Sequence, residues 1–458
     1  MQSHGATYNG VPLHIGEQTL GDHMRALGVS TGLIGKTHMA ADLAGMERLG
    51  VDPNSIQGTL AAQCGFEPWE RDDGLHPDMN TSPNLAYNKY LRENGYDGDN
   101  PWHSYANSGL EDDGTVVSGW FLQNAHLPAR VDKDHSETAY MTNLAMAKIE
   151  ELGETPWCLH LSYIKPHWPY IAPAPYHNMY SADDVIAANR TDAEKENPHP
   201  VIKAFMEHEE SINFSDEEKR RHIIPAYMGL ISEIDDHMGR LMAFLEKTGR
   251  DKDTLVVFTS DHGDYLGDHW LGEKEMFHEE SARIPLIVID PRGESNGTRG
   301  QQNDALVEAI DLIPTFVDVL GGDAKPHILE GESLLPLLES SPEAWREAVF
   351  SEADYAWREA RHILDLAPDQ TRGYMVRDDR WKYVSFDRFP PQLFDLEKDP
   401  KELKDLGKSP DYEDIREMME ARLTAWLRLR RNRTTVTHER IEQTTGNAKS
   451  RGIYYGVW

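Results

Sequence analysis

Cysteine is almost missing: the 458 residues contain two, Cys64 and Cys158. Two thiols cannot build a disulfide framework, and a reducing, cytoplasmic compartment is expected. Positive charge is also scarce. Lys and Arg number 46 against 78 Asp and Glu, a net charge of −32. So acidic a chain repels phosphate backbones, so nucleic acid is not an expected partner. It favours solubility and, locally, cations. No apolar run is long enough to span a bilayer, so no membrane partner is expected. No signal peptide opens the sequence. What is present is an ordinary globular mixture, 39 % hydrophobic and 27 % charged, long enough for a large α/β domain with an appendage.

Helical and strand patterns alternate. Thr19–Gly28 reads as a helix capped by Thr19 and closed by Gly28. Ser30–Ile34 and Trp157–Tyr163 read as strands, and Ser136–Glu151 as a helix between them. Ile224–Lys247 is amphipathic, with Tyr227, Leu230, Ile234, Met238, Leu241 and Leu245 on one face. Leu255–Phe258 and Ile284–Ile289 are further strands, and Val307–Leu320 a further helix. This alternation predicts one large mixed, mainly parallel sheet between helices. The long polar insertions Gln63–Asn124 and Ala172–Asn213 read as lids or interface arms. After about Glu339 the pattern changes to antiparallel strands in RGYMVRDDRWKYVSF and PPQLFDLEKDP, then a helix over Tyr412–Arg430. Residues 1–345 are therefore expected as the α/β domain and 346–458 as a smaller α+β subdomain with a tail.

The chemistry concentrates where strands end. LVVFTSDHGDYLGDHWLGEK (Leu255–Lys274) runs from an apolar strand into a turn carrying Asp261 and His262, a hard oxygen and an imidazole suited to a divalent cation. Lys274 in the same loop makes sense beside a metal if an anion lies between them. GKTHM supplies Lys36 and His38, KPHWPY supplies His167, and SHGATYNG supplies Asn9 in a Gly-flanked turn. Loops that meet at one sheet edge would form a donor-rich pocket for a tetrahedral oxyanion. Asp264, Asp268 and His269 read as pocket rim, and His278-Glu279-Glu280 lacks zinc-protease spacing. The basic cluster Arg428–Arg433 and the aromatic tail RGIYYGVW read as solvated ends or intersubunit contacts.

SDHGDYLGDH, the Lys274 spacing, ARIPLIVIDP, GKTHM, KPHWPY and IDLIPTFVDVLGG together resemble the sulfatase branch of the alkaline-phosphatase-like superfamily, in its order. LFDLEKDPKELKDL is similar to that family's C-terminal signature. HGATYNGVPL and GKTHM look most like the phosphonate monoester hydrolase and arylsulfatase subgroup. The resemblance implies metal-dependent hydrolysis of sulfate, phosphonate or phosphate esters, with a small anionic ester as partner and a homo-oligomeric assembly. It implies one divalent metal, Ca²⁺ or Mn²⁺ with Mg²⁺ a third candidate, on Asp261 and His262. It also implies that Lys36, His38, His167 and Lys274 grip the oxyanion and protonate the leaving group, with Asn9 pointing inward.

The departures from that pattern are specific. The family opens with a strand bearing two metal ligands, then a C/S-x-P-S-R-type turn whose Cys or Ser becomes the formylglycine nucleophile. Cys64, in AAQCGFEP, has no following Arg, and Cys158 lies inside a strand. The sequence is thus expected to lack an upstream strand, loop and helix carrying the nucleophile, and to be inactive as it stands. That incompleteness also keeps a periplasmic location open. The alternative reading is a non-catalytic binding or scaffold subunit.

Overall fold

A computed structural model describes residues 4–72, 74, 76–77, 81–340, 342, 344–430, 435–456 and 458. Ser3 and Arg431–Arg433, named above, lie outside the described residues. Three strands form a parallel sheet in the order β2–β1–β5: β1 (Ser30–Gly35), β2 (Glu67–Arg71) and β5 (Trp157–Ser162). Helices cover both faces. On one, Glu137–Leu152 packs Met141 and Ala145 against Ile34, Leu159 and Leu161. On the other, Leu20–Ala26 and Leu312–Val319 bring Met24 and Val317 onto Cys158. Thr19 caps the first helix as expected: its N–H and hydroxyl both donate to Asp22. The α/β class therefore holds.

The expectation that the Leu255–Phe258 and Ile284–Ile289 segments join that sheet needs correction. β6 (Val256–Thr259) and β7 (Leu286–Ile289) pair antiparallel in a sheet of their own, because the connection between them turns the chain back on itself. β5 and β6 meet only through side chains, in a cluster of Leu159, Leu161 and Val256 with Ile149, Leu241 and Leu245. Among the described residues, β5 hydrogen-bonds to a strand only on its β1 side and β6 only on its β7 side.

The insertions are also not mere lids. Tyr87, Leu91 and Trp102 are buried in the same cluster as Ile34, while Val201, Ala204 and Phe205 are buried against the C-terminal subdomain. A short hairpin, β3 (Ser108–Leu110) with β4 (Val116–Ser118), lies in the first insertion. The C-terminal subdomain is an antiparallel sheet in the order β11–β10–β9–β8: β8 (Val349–Asp354), β9 (Arg372–Arg377), β10 (Trp381–Phe386) and β11 (Gln392–Asp395). The helix Glu413–Arg428 packs Met419 and Leu423 on it. The long helix Glu217–Thr248 starts seven residues before the sequence pattern placed it, running through Pro225.

Candidate active site

Two loops leave the carboxyl edge of the parallel sheet side by side. β1 ends at Gly35, with φ +111° and the Ser162 carbonyl 2.0 Å from where a Cβ would stand. Only glycine fits so close an approach. Lys36 then donates its N–H to the Ser162 carbonyl at 3.0 Å, which starts the Lys36 loop beside the end of β5. Arg71, at the end of β2, holds the Thr37 and Met39 carbonyls. Gly10 N–H reaches the His38 carbonyl at 3.2 Å, tying the exposed Asn9 turn to this loop.

After β5 the chain carries Lys165 and His167. Lys165 is buried, with Nζ 3.0 Å from the Pro169 carbonyl and 3.6 Å from Glu137. The His167 ring donates Nδ1–H to the Trp168 carbonyl at 2.9 Å, which leaves Nε2 as the acceptor. Burial holds its pKa down to about 3, with Lys36, Lys274 and Lys165 adding to the depression. His262 is bonded in the same way, Nδ1 to the Gly263 carbonyl at 2.7 Å. Burial lowers its pKa too; Asp261 opposes this, and Lys274 and Lys36 reinforce it. Both histidines thus feel both lysines, so Lys36, His167, Asp261, His262 and Lys274 share one locality. The backbone bond from Gly10 ties the Asn9 turn to the loop that carries His38.

The loop from Asp261 to Lys274 is held in an uncommon shape. Leu266, His269, Trp270 and Glu273 all have positive φ, at roughly 1–3 kcal/mol of strain each, which surrounding contacts must over-determine. Some of those contacts escaped the sequence reading. Glu273 lies 3.2 Å from Lys274 Nζ and accepts from Trp168 Nε1 at 2.7 Å, so it bridges the His167 and Lys274 loops. Asp264 is half-buried, accepts from Tyr170 OH at 3.1 Å, and is pushed up to about 7 by desolvation. Asp268 and His269 turn away from the lysines. His269 sits between Glu194 at 2.8 Å and Glu280 at 3.3 Å, and stacks on His278.

Asp261 Oδ2 and His262 Nε2 are 3.5 Å apart, and the Asp261 carboxylate is 80 % exposed. An exposed carboxylate, bonded on its other oxygen by the His262 N–H, beside an unprotonated Nε2 suits part of a divalent-cation shell. No group of three or more His, Cys, Asp or Glu with metal-site geometry occurs among the described residues. Neither cysteine is an activated nucleophile: burial pushes both thiols up to about 11. No described helix is long and apolar enough to cross a membrane.

A family model described as Sulfatase matches residues 1–322, and one described as N-sulphoglucosamine sulphohydrolase, C-terminal, matches residues 267–428. The chain is 33 % identical to the multifunctional alkaline phosphatase superfamily protein PehA of Trinickia caryophylli, covering 96 % of this chain and 84 % of that protein. It is 29 % identical to an arylsulfatase of Clostridium perfringens over 57 % of this chain and 51 % of that one. The solved phosphonate monoester hydrolase SpPMH of Silicibacter pomeroyi superposes with a TM-score of 0.79 at 26 % identity, covering 95 % of this chain and 85 % of that one. The phosphonate monoester hydrolase of Agrobacterium radiobacter gives 0.77 at 28 %, covering 93 % and 83 %.

Proposed function

Since the chain belongs to the sulfatase family, we propose that its Lys36–His167–His262–Lys274 cluster binds the anionic group of a sulfate or phosphonate ester for hydrolysis. The observation that carries this reading is that two lysines from separate loops depress the same two imidazoles. Cations gathered from separate loops around two neutral imidazoles are poised for an oxyanion. Glu273 takes part of the Lys274 charge and sets its direction.

Asp261 and His262 would hold a divalent cation, Ca²⁺, Mn²⁺ or Mg²⁺, which supplies further neutralisation of anionic oxygens. His167 rests neutral. An ester anion between Lys36 and Lys274 offsets their charge and raises His167 towards the protonated form a general acid needs. The nucleophile is a formylglycine on this reading. No C/S-x-P-S-R turn occurs in the 458 residues, so these residues bind the ester and turnover requires a segment bearing that group.

Calorimetry with inorganic sulfate tests the binding half. Lys36→Ala and Lys274→Ala should each weaken it about tenfold or more, the scale of one charge-assisted hydrogen bond. The nucleophile half is tested by assaying 4-nitrophenyl sulfate and a phenylphosphonate monoester with and without a formylglycine-bearing N-terminal extension. Turnover should appear only with it. Sulfate affinity indifferent to both lysines would remove the pocket, and turnover by the unextended chain would remove the nucleophile assignment.

A further inference from the structure

The oxyanion cluster says nothing about the organic part of the ester, but an aromatic pair is tethered to two of its loops. Trp357 is 65 % exposed, an uncommon setting for so large an apolar ring. It lies on the connection between β8 and β9, in the C-terminal subdomain. Its ring is parallel to that of Tyr8, with centroids 6.0 Å apart and planes 17° apart. Two tethers bring this pair to the pocket. Tyr8 precedes Asn9, whose turn is bonded to the His38 loop through Gly10. Arg358, next to Trp357, pairs with Glu275 at 3.1 Å, and Glu275 follows Lys274.

We propose that Tyr8 and Trp357 receive the leaving group of the ester and select flat, uncharged aromatic ones. This rests on the hydrolase reading above and adds the substrate class to it. The parallel, offset pair offers a broad π-face on which another ring stacks. It is not a box of converging faces, the arrangement that recognises a quaternary ammonium. An anionic leaving group gains nothing here either. Arg358 is engaged by Glu210 at 2.7 Å as well as by Glu275, so the rim carries no spare positive charge from it.

The test is equilibrium calorimetry with ethyl sulfate, phenyl sulfate and choline sulfate. Phenyl sulfate should bind about tenfold more tightly than ethyl sulfate, the factor an added ring contact contributes. Trp357→Ala should bring phenyl sulfate to the ethyl sulfate affinity; the ring is exposed, so its loss leaves the core intact. Equal binding of phenyl and ethyl sulfate, a preference that survives Trp357→Ala, or a preference for choline sulfate overturns the proposal. Lys274→Ala should weaken all three ligands alike. If it weakens none, or if no sulfate monoester binds, the hydrolase reading fails and this inference with it.

Discussion

Lys382 offers the sharpest test of how the C-terminal subdomain supports the pocket. It projects from β10 and is fully buried. Its ammonium lies 2.7 Å from Glu279 and 2.7 Å from Glu402, and donates to the Phe277 carbonyl at 2.9 Å. Phe277 and Glu279 follow Lys274 on the β6–β7 connection, so one charge pins that connection to the subdomain. Lys382→Met keeps the volume and removes the charge, leaving a buried Glu402 and a partly exposed Glu279 together without their shared ammonium. Breaking such a network costs about 3–5 kcal/mol. The deficit should also depend on pH. Burial already raises the Glu402 pKa while Lys382 pulls it down, so without Lys382 it rises further. A carboxyl whose folded pKa is raised destabilises the folded state at high pH and recovers as pH falls and it binds a proton. Urea unfolding of wild type and variant, followed by tryptophan fluorescence, should show the full loss at pH 8 and a smaller one at pH 5.5. A loss below about 1 kcal/mol, or one equal at both pH values, refutes the reasoning.

Further expectations concern the histidines and one glycine. In NMR titration His167 should stay neutral until about pH 3, and Lys36→Ala should move that transition upward, since Lys36 is the foremost charge depressing it. A midpoint near 6.5 in the wild type would contradict the burial and the lysine cluster together. Burial pulls His269 down, but Glu194 and Glu280 outweigh it and raise the pKa to about 9. Its contribution, on the order of 3 kcal/mol, should be full below about pH 6.5 and disappear as pH rises through 9; His269→Gln should flatten that part of the stability profile. Gly263→Ala places a Cβ 1.9 Å from the Glu280 carbonyl and should lower both the melting temperature and sulfate affinity, whereas Gly239→Ala, on an open helix face, should do neither.

What the sequence shows clearly is local. The Thr19 cap, the β1 and β5 cores and the antiparallel C-terminal strands all follow from periodicity and punctuation. Pro225 hid the start of the long helix, because a proline is best tolerated in a helix's first turn, whereas here two turns of helix precede it. β2, with the sequence EPWER, does not read as a strand; its proline is tolerated because β2 lies at the sheet edge. In the site, the loops bearing Lys36, His167 and Lys274 were visible as polar turns after apolar runs. The Glu273–Trp168 bridge and the Trp357–Tyr8 stack were not. The first joins residues 105 apart in the chain and the second almost 350. No local pattern encodes such encounters.

The one-sided pairing of β5 and β6 also bears on how this protein behaves in a tube. A strand that pairs on one side only among the described residues is a template for another extended chain. β7 next door exposes Ile287 and Ile289, at 56 % and 42 %, so an incoming strand would find grease as well as hydrogen bonds. Set against this is the charge of −32, which keeps molecules apart at low ionic strength. Salt shortens the reach of that repulsion to about 8 Å at physiological strength and leaves the sticky edges untouched. Preparations should accordingly stay clear in dilute buffer and turn turbid on adding salt.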